Sequence, residues 1–129
     1  MDRQKKALII DPSPIFRNTL KEVIQTSEPQ AEVTEARDAD QALGILRDQS
    51  PEVVFLDIAL SRGNGIEFIG RLKRMLPATR IVVLTSHDSA EQKAASLQQG
   101  ADIFLSKEHT VGLHLIDIIH ETLHRHGAA

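Results

Sequence analysis

Four short apolar runs punctuate the chain: Ala7-Leu8-Ile9-Ile10, Val53-Val54-Phe55-Leu56, Ile81-Val82-Val83-Leu84 and Ile103-Phe104-Leu105. Each is rich in branched or aromatic residues and continuous rather than alternating, the pattern of strands covered on both faces in a parallel sheet. A weaker run over 31–36 alternates and reads as an edge strand. Between these runs the apolar period lengthens to that of a helix. Phe16, Leu20, Val23 and Ile24 share one helical face. Ser13-Pro14 just ahead supplies an N-cap followed by proline at the first helical position. Ala39, Ala42, Leu43 and Leu46 repeat the spacing behind Asp38 as cap, and Ile69, Leu72 and Leu76 repeat it again. The pairs Asn64/Glu67 and Asp88/Glu91 resemble capping boxes. Gly100 reads as the stop of the helix that begins near Asp88. A last helix is expected from about Val111 to His126. It is apolar around so much of its circumference that Ile118 and its neighbours suit an exposed interface as well as a core.

Strand and helix thus alternate five times. That alternation implies a parallel sheet with helices on both faces, and right-handed crossovers leave few topologies. The expected fold is a doubly wound five-stranded α/β sheet in one domain over residues 1–129. With 129 residues, 41% of them hydrophobic and 26% charged, the chain has an ordinary globular balance. Lys+Arg 15 against Asp+Glu 18 gives a net charge of −3, so no basic excess attracts nucleic acid or anionic lipid. Cysteine is absent, which removes disulfides, thiolate chemistry and cysteine zinc sites. No apolar run approaches the ~18 residues of a membrane helix or a signal peptide's apolar region, so a cytoplasmic location is expected.

In wound sheets, ligands bind beyond the carboxyl ends of the strands. Asp11 follows the first strand, Asp57 the third, Thr85 and Ser86 the fourth, Ser106 and Lys107 the fifth. Taken singly, each reads as a cap or as solvated surface. Gathered at one sheet edge, they form two carboxylates, a hydroxyl and an ammonium around one cleft. Two carboxylates suit a hard divalent cation such as Mg²⁺, which also takes phosphate oxygens and waters. The remaining groups suit a phosphoryl group, whose transfer is mostly positioning and charge stabilisation.

With those residues in place, the chain resembles the response-regulator receiver domain of two-component signalling, from about Lys6 to His124. Asp57-Ile58-Ala59-Leu60-Ser61-Arg62-Gly63-Asn64-Gly65 is similar to the family's loop after the phospho-acceptor. The segments 84–88, 100–107 and Ser13-Pro14-Ile15-Phe16-Arg17 resemble receivers that precede LuxR-type helix-turn-helix output domains. The resemblance implies a flavodoxin-like fold with strand order 2-1-3-4-5, and a phosphoryl group accepted on Asp57 from a histidine kinase or a phosphotransfer protein. It also implies Mg²⁺ held by Asp11, Asp57 and the Ala59 carbonyl. Thr85 would bind and report the phosphoryl oxygen, Lys107 would neutralise charge, and Phe104 matches the aromatic switch position. Such a domain modifies itself rather than turning over a product. A homodimer is expected through the face of the fourth helix, fifth strand and fifth helix, and no direct contact with nucleic acid or membrane. The 22 residues after Lys107 complete the last helix, so no output domain is expected in this chain, whether it stands alone or was cut from a longer regulator.

One departure stands out. The family usually has two adjacent acids after the first strand, and here the second position is Pro12. Weakened Mg²⁺ binding follows from the loss of that ligand. An alternative is therefore a pseudo-receiver, an interaction module that works without phosphorylation. A remote alternative is a metal-dependent hydrolase, because His120-Glu121-Thr122-Leu123-His124 matches H-E-x-x-H, with both histidines on one helical face. No third ligand follows downstream, and incidental zinc or nickel binding by His120 and His124 is the more ordinary use of that pair. Thr85 and Lys107 are expected to matter for response more than for folding, with Thr85→Ala leaving stability within about 1 kcal/mol, as surface changes usually do.

Overall fold

A computed structural model of the chain describes residues 5–60, 64–108 and 113–124. The elements run β1 (Lys6–Ile10), α1 (Pro14–Ser27), β2 (Glu32–Ala36), α2 (Ala39–Leu46), β3 (Val53–Leu56), α3 (Gly65–Met75), β4 (Arg80–Thr85), α4 (Ala90–Gln99), β5 (Ile103–Ser106) and α5 (Leu113–His124). The five strands form one parallel sheet, as the alternation implied, in the order β2-β1-β3-β4-β5 expected from the family resemblance.

The continuous apolar runs are explained by two cores. Leu8, Ile10, Val54, Leu56, Ile81 and Val83 point to the α2 and α3 side, where they meet Ala42, Leu46, Phe68, Ile69 and Leu72. Their strand neighbours Ala7, Ile9, Val53, Phe55, Val82 and Leu84 point the other way, onto Leu20 and Ile24 of α1 and Leu115, Ile118, Ile119 and Leu123 of α5. Period-two alternation therefore persists, but both faces are dry. The register of the ladder is fixed because a one-residue slip would exchange two differently shaped cores.

Local signals act as anticipated at several ends. Ser13 accepts the Phe16 N–H with proline at the start of α1, and Asp38 accepts the Gln41 N–H to cap α2. Gly100 ends α4 in the left-handed region at φ 118°, where a Cβ would also meet Lys73 Cγ at 2.8 Å.

Four expectations change. The cap of α4 is Ser89, whose hydroxyl accepts from Gln92 N, and not Asp88. Asn64 stands at the cap of α3 but makes no side-chain capping bond. β5 is half-buried throughout, because it is the edge strand beside β4 and has only one paired flank. Ile118 is 8% exposed and belongs to the α1-side core, so a charge there would be a core lesion rather than an interface probe. The apolar excess of α5 is spent on a helix that packs against both the sheet and α1. Val111 and the end of the helix expected at His126 lie outside the described residues.

Candidate functional site

The parallel ladder brings the strand-end residues together. β1 and β3 pair with Ile10 opposite Leu56, so Asp11 and Asp57 leave the sheet side by side. Their backbones continue the ladder: Asp11 N donates to Ala36 O and Asp57 N to Ile10 O. On the other side of β3, Thr85 ends β4 opposite Ser106, and Lys107 N donates to Thr85 O at 2.9 Å.

Lys107 Nζ sits between the two acids, 2.9 Å from Asp11 Oδ2 and 2.9 Å from Asp57 Oδ2. Each acid keeps its second oxygen on a backbone amide. Asp11 Oδ1 accepts from Ser13 N and Asp57 Oδ1 from Ala59 N. These bonds hold both carboxylates rigidly although they are only 2% and 5% exposed as residues. Burial pushes the Asp11 carboxyl above its ordinary pKa, against the pull of Lys107 and the Ser13 amide. Burial also opposes the charge of Lys107, but its bonds to Asp11 and Asp57 outweigh that and raise its pKa.

Two neighbours escaped sequence reasoning. The Phe16 ring lies under Lys107, 4.2 Å from Nζ to the ring centroid, a cation–π contact that closes the third side of the ammonium. Arg17 donates from a guanidinium nitrogen to the Asp11 carbonyl at 2.6 Å and pairs through Nε with Glu35 at 3.1 Å. Both lie on the first turn of a helix that follows a strand-end acid. That placement is the signal, but the helical period assigned Phe16 to the core.

Gly65 allows the loop after Asp57 to pack against α3. A Cβ there would fall 2.2 Å from the Ile58 carbonyl oxygen, which is backbone and cannot step aside. The loop residues Ser61, Arg62 and Gly63 lie outside the described residues.

Thr85 is fully buried, contrary to the surface role expected of it. Its Oγ1 accepts the His87 N–H at 3.1 Å, so the hydroxyl organises the turn that leaves β4. Thr85→Ala is therefore expected to lower stability by about 1 kcal/mol through that lost bond, while Thr85→Ser loses less. Chemical denaturation of both variants checks this. Equal losses would show that methyl packing, not the hydroxyl, holds the turn. Phe104 is half-buried on β5 and packs against the α2–α3 core.

His120 and His124 stand apart from this cleft. α1 starts at the cleft and runs about 20 Å away from it at 1.5 Å per residue. Its C-cap, Glu28, is bonded to both histidines, through His120 Nδ1 at 3.1 Å and His124 Nε2 at 2.6 Å. The histidine side chains are 67% and 45% exposed, on a surface rather than in a cleft that could enclose a substrate.

Asp11 and Asp57 fit a hard divalent cation. They are adjacent buried carboxylates served by one ammonium, and each has lone pairs left after its amide bond. Pro12 is exposed and brings neither a carboxylate nor an N–H to the rim. No helix among the described residues is long and apolar enough to cross a membrane.

Comparison with known proteins converges on one family. The response regulator receiver domain model matches residues 7–119. A protein-glutamate methylesterase/protein-glutamine glutaminase of Vibrio vulnificus is 37% identical over 110 residues, 83% of this chain and 31% of the relative. The chain spans less than half the length of the curated relatives it matches, this one among them. A response regulator of Burkholderia pseudomallei, solved with a phosphorylated aspartic acid, calcium ion and citrate, superposes with a TM-score of 0.79 at 25% identity, over 97% of this chain and 70% of that one. A LuxR-family two-component response regulator of Aurantimonas gives a TM-score of 0.82 at 26% identity, over 94% of this chain and 86% of that one.

Proposed function

This chain belongs to the response regulator receiver domain family, and from that we propose that it accepts a phosphoryl group on Asp57 and changes conformation in response. The observation that carries this reading is Lys107 Nζ held 2.9 Å from both buried carboxylates, with Thr85 beside them at the same sheet edge. A carboxylate oxygen of Asp57 bonds to phosphorus as the donor's phosphorus–nitrogen bond breaks, and the leaving imidazole nitrogen takes a proton. Donor and product are then a free histidine side chain and an aspartyl phosphate.

Charge decides what the cleft needs. Asp11, Asp57 and Lys107 sum to −1, and an aspartyl phosphate dianion in place of the carboxylate brings the sum to −2. Lys107 can follow the new charge because its two acceptors lie on neighbouring residues of the ladder. The Thr85 hydroxyl accepts from His87 N and keeps its own hydrogen for a phosphoryl oxygen. A bound Mg²⁺, held by Asp11, Asp57 and the Ala59 carbonyl, would supply the missing positive charge.

The phosphoryl donor on this reading is a histidine kinase or a phosphotransfer protein, in the cytoplasm. Ile15 supports docking beside the cleft: it is 80% exposed on the first turn of α1, next to the Asp11 loop. The face of α4, β5 and α5 is the proposed surface for a second copy. It is supported by the half-buried edge strand and by Leu97, 42% exposed, rather than by Ile118. If the chain is part of a longer regulator, its likeness to a LuxR-family receiver supports a DNA-binding output there. The domain itself is a signalling element and not a turnover enzyme.

Pro12 makes a sharp test. Pro12→Asp is expected to tighten Mg²⁺ binding ten-fold or more, about 1.4 kcal/mol, and to speed labelling of Asp57 by a small phosphodonor. Isothermal titration and intact-mass kinetics read both. Ordinary Mg²⁺ affinity in the natural protein with no gain in Pro12→Asp would mean that the cation is held without this position. Failure of both proteins to label would favour the pseudo-receiver reading.

A further inference from the structure

Glu28, His120 and His124 form the one group of three potential metal ligands among the described residues, their ligand atoms within 4.8 Å of one another. We propose that these three residues bind a divalent transition-metal ion, zinc by preference, which joins the end of α1 to the end of α5. The proposal is independent of phosphorylation at Asp57.

The donor set is chemically suited. Two imidazoles and one carboxylate are the ligands of many sites for borderline-soft cations, whereas Mg²⁺ prefers oxygen alone. In a tetrahedral zinc site with bonds of roughly 2.0–2.1 Å, donor atoms lie about 3.4 Å apart. Here His120 Nδ1 lies 3.1 Å from one Glu28 oxygen and His124 Nε2 2.6 Å from the other, and one ligand atom from each residue falls within 4.8 Å of the other two, so modest side-chain movements bring the three donors onto one ion. His120 and His124 are one helical turn apart, their ring centroids 4.5 Å apart. They already turn toward Glu28.

The scaffold is organised before any ion arrives. Glu28 is the C-cap of α1, its N–H bonded to Ile24 O at 2.7 Å and its carbonyl accepting from Ala31 N at 2.9 Å. Beneath it, Leu20 and Ile24 pack with Ile119 and Leu123 in one core. The Glu28 side chain is 15% exposed, and both of its oxygens are turned to the histidines. The open outer side leaves a fourth position for water. The third ligand precedes the histidines by 92 and 96 residues, so the H-E-x-x-H string alone could not reveal it. Exposure of both imidazoles makes this a site that ties two helices together rather than one that encloses a substrate.

Zinc titrated into the full chain, with Mg²⁺ in excess to occupy the aspartate cleft, is expected to bind at one equivalent. Co²⁺ in its place is expected to give the visible absorption of a four-coordinate ion. Glu28→Gln and His124→Gln should each weaken zinc binding at least ten-fold, while His87→Gln and Asp57→Asn leave it unchanged. Both site substitutions are close in shape and fall at the surface end of the helices, and circular dichroism checks that each variant is folded. Absence of saturable one-equivalent binding would overturn the proposal, as would unchanged affinity in a His120→Gln/His124→Gln double variant.

Discussion

Lys107→Met should cost about 3 kcal/mol of folding free energy at neutral pH. Removing one partner from a buried ion-paired group leaves uncompensated charge, which typically costs 3–5 kcal/mol. Here two carboxylates, 2% and 5% exposed, would face each other with no cation between them. The residual 16% exposure of the lysine side chain places the loss at the lower end. The pH dependence has a definite sign. Lys107 has its pKa raised in the folded protein, so its contribution is complete below the unfolded value of 10.5 and disappears as pH climbs through the folded value. Asp11 is also raised above 3.8, so the folded state holds that proton more tightly and loses this advantage as pH rises through the raised value. Without Lys107 the acid's pKa climbs further, and the gap between variant and natural protein should narrow as pH falls into the carboxylate range. Mg²⁺ should restore part of the loss, because it binds only the folded cleft. Denaturant titrations at neutral and acidic pH, with and without Mg²⁺, measure all three effects. A loss below ~1 kcal/mol that Mg²⁺ does not change would show that the acids are solvated or protonated in the native state.

Asp57→Asn is expected to abolish labelling by a small phosphodonor while leaving the domain folded. The amide keeps the shape that accepts from Ala59 N, yet its oxygen is a far poorer nucleophile than a carboxylate. Lys107 retains Asp11 at 2.9 Å, and one repulsion in the cleft is removed, so no unfolding should accompany the lost reactivity. Intact mass in the presence of Mg²⁺ should show one added phosphoryl group in the natural protein and background in the variant. The adduct should be cleaved by hydroxylamine, as an acyl phosphate is. Undiminished labelling of Asp57→Asn, or an adduct stable to hydroxylamine, would move the acceptor to another residue.

The parallel sheet and the cleft were legible from the strands and the residues that follow them, while the order of the strands came with the family resemblance. β1, β3 and β4 are dry on both faces, and that requirement writes itself as unbroken runs of branched residues. Once those strands are parallel, Asp11, Asp57, Thr85 and Lys107 must share an edge. What sequence could not supply was the burial of each member. A threonine that ends a strand looks the same whether it faces solvent or, like Thr85, holds a turn inside. Helix phase was readable in α1 and α3, where apolar residues set it. In α4, Ser89 and Asp88 are equally good caps one position apart, and the helix has too few apolar residues to choose between them. Ile118 misled for the opposite reason, because α5 is covered from two directions. Phe16 does two things at once, and a periodic pattern records only the apolar one. Glu28 joined His120 only through packing of the first helix against the last.

The thin anchoring of α4 has a consequence for how free energy is distributed in the molecule. Its only buried residue is Ser96, and the hydroxyl of that serine has no hydrogen-bond partner. Helices α1, α2 and α3 each bury at least two residues, most of them apolar. Opening α4 forfeits little apolar burial and exposes one polar group that gains from water, so its local unfolding costs far less than global unfolding. A ligand event at the neighbouring end of β4 then has to supply only that smaller difference to shift the helix. The fold thus sets a thinly anchored helix beside the end of β4, while β1, β3 and β4 are packed into the two cores.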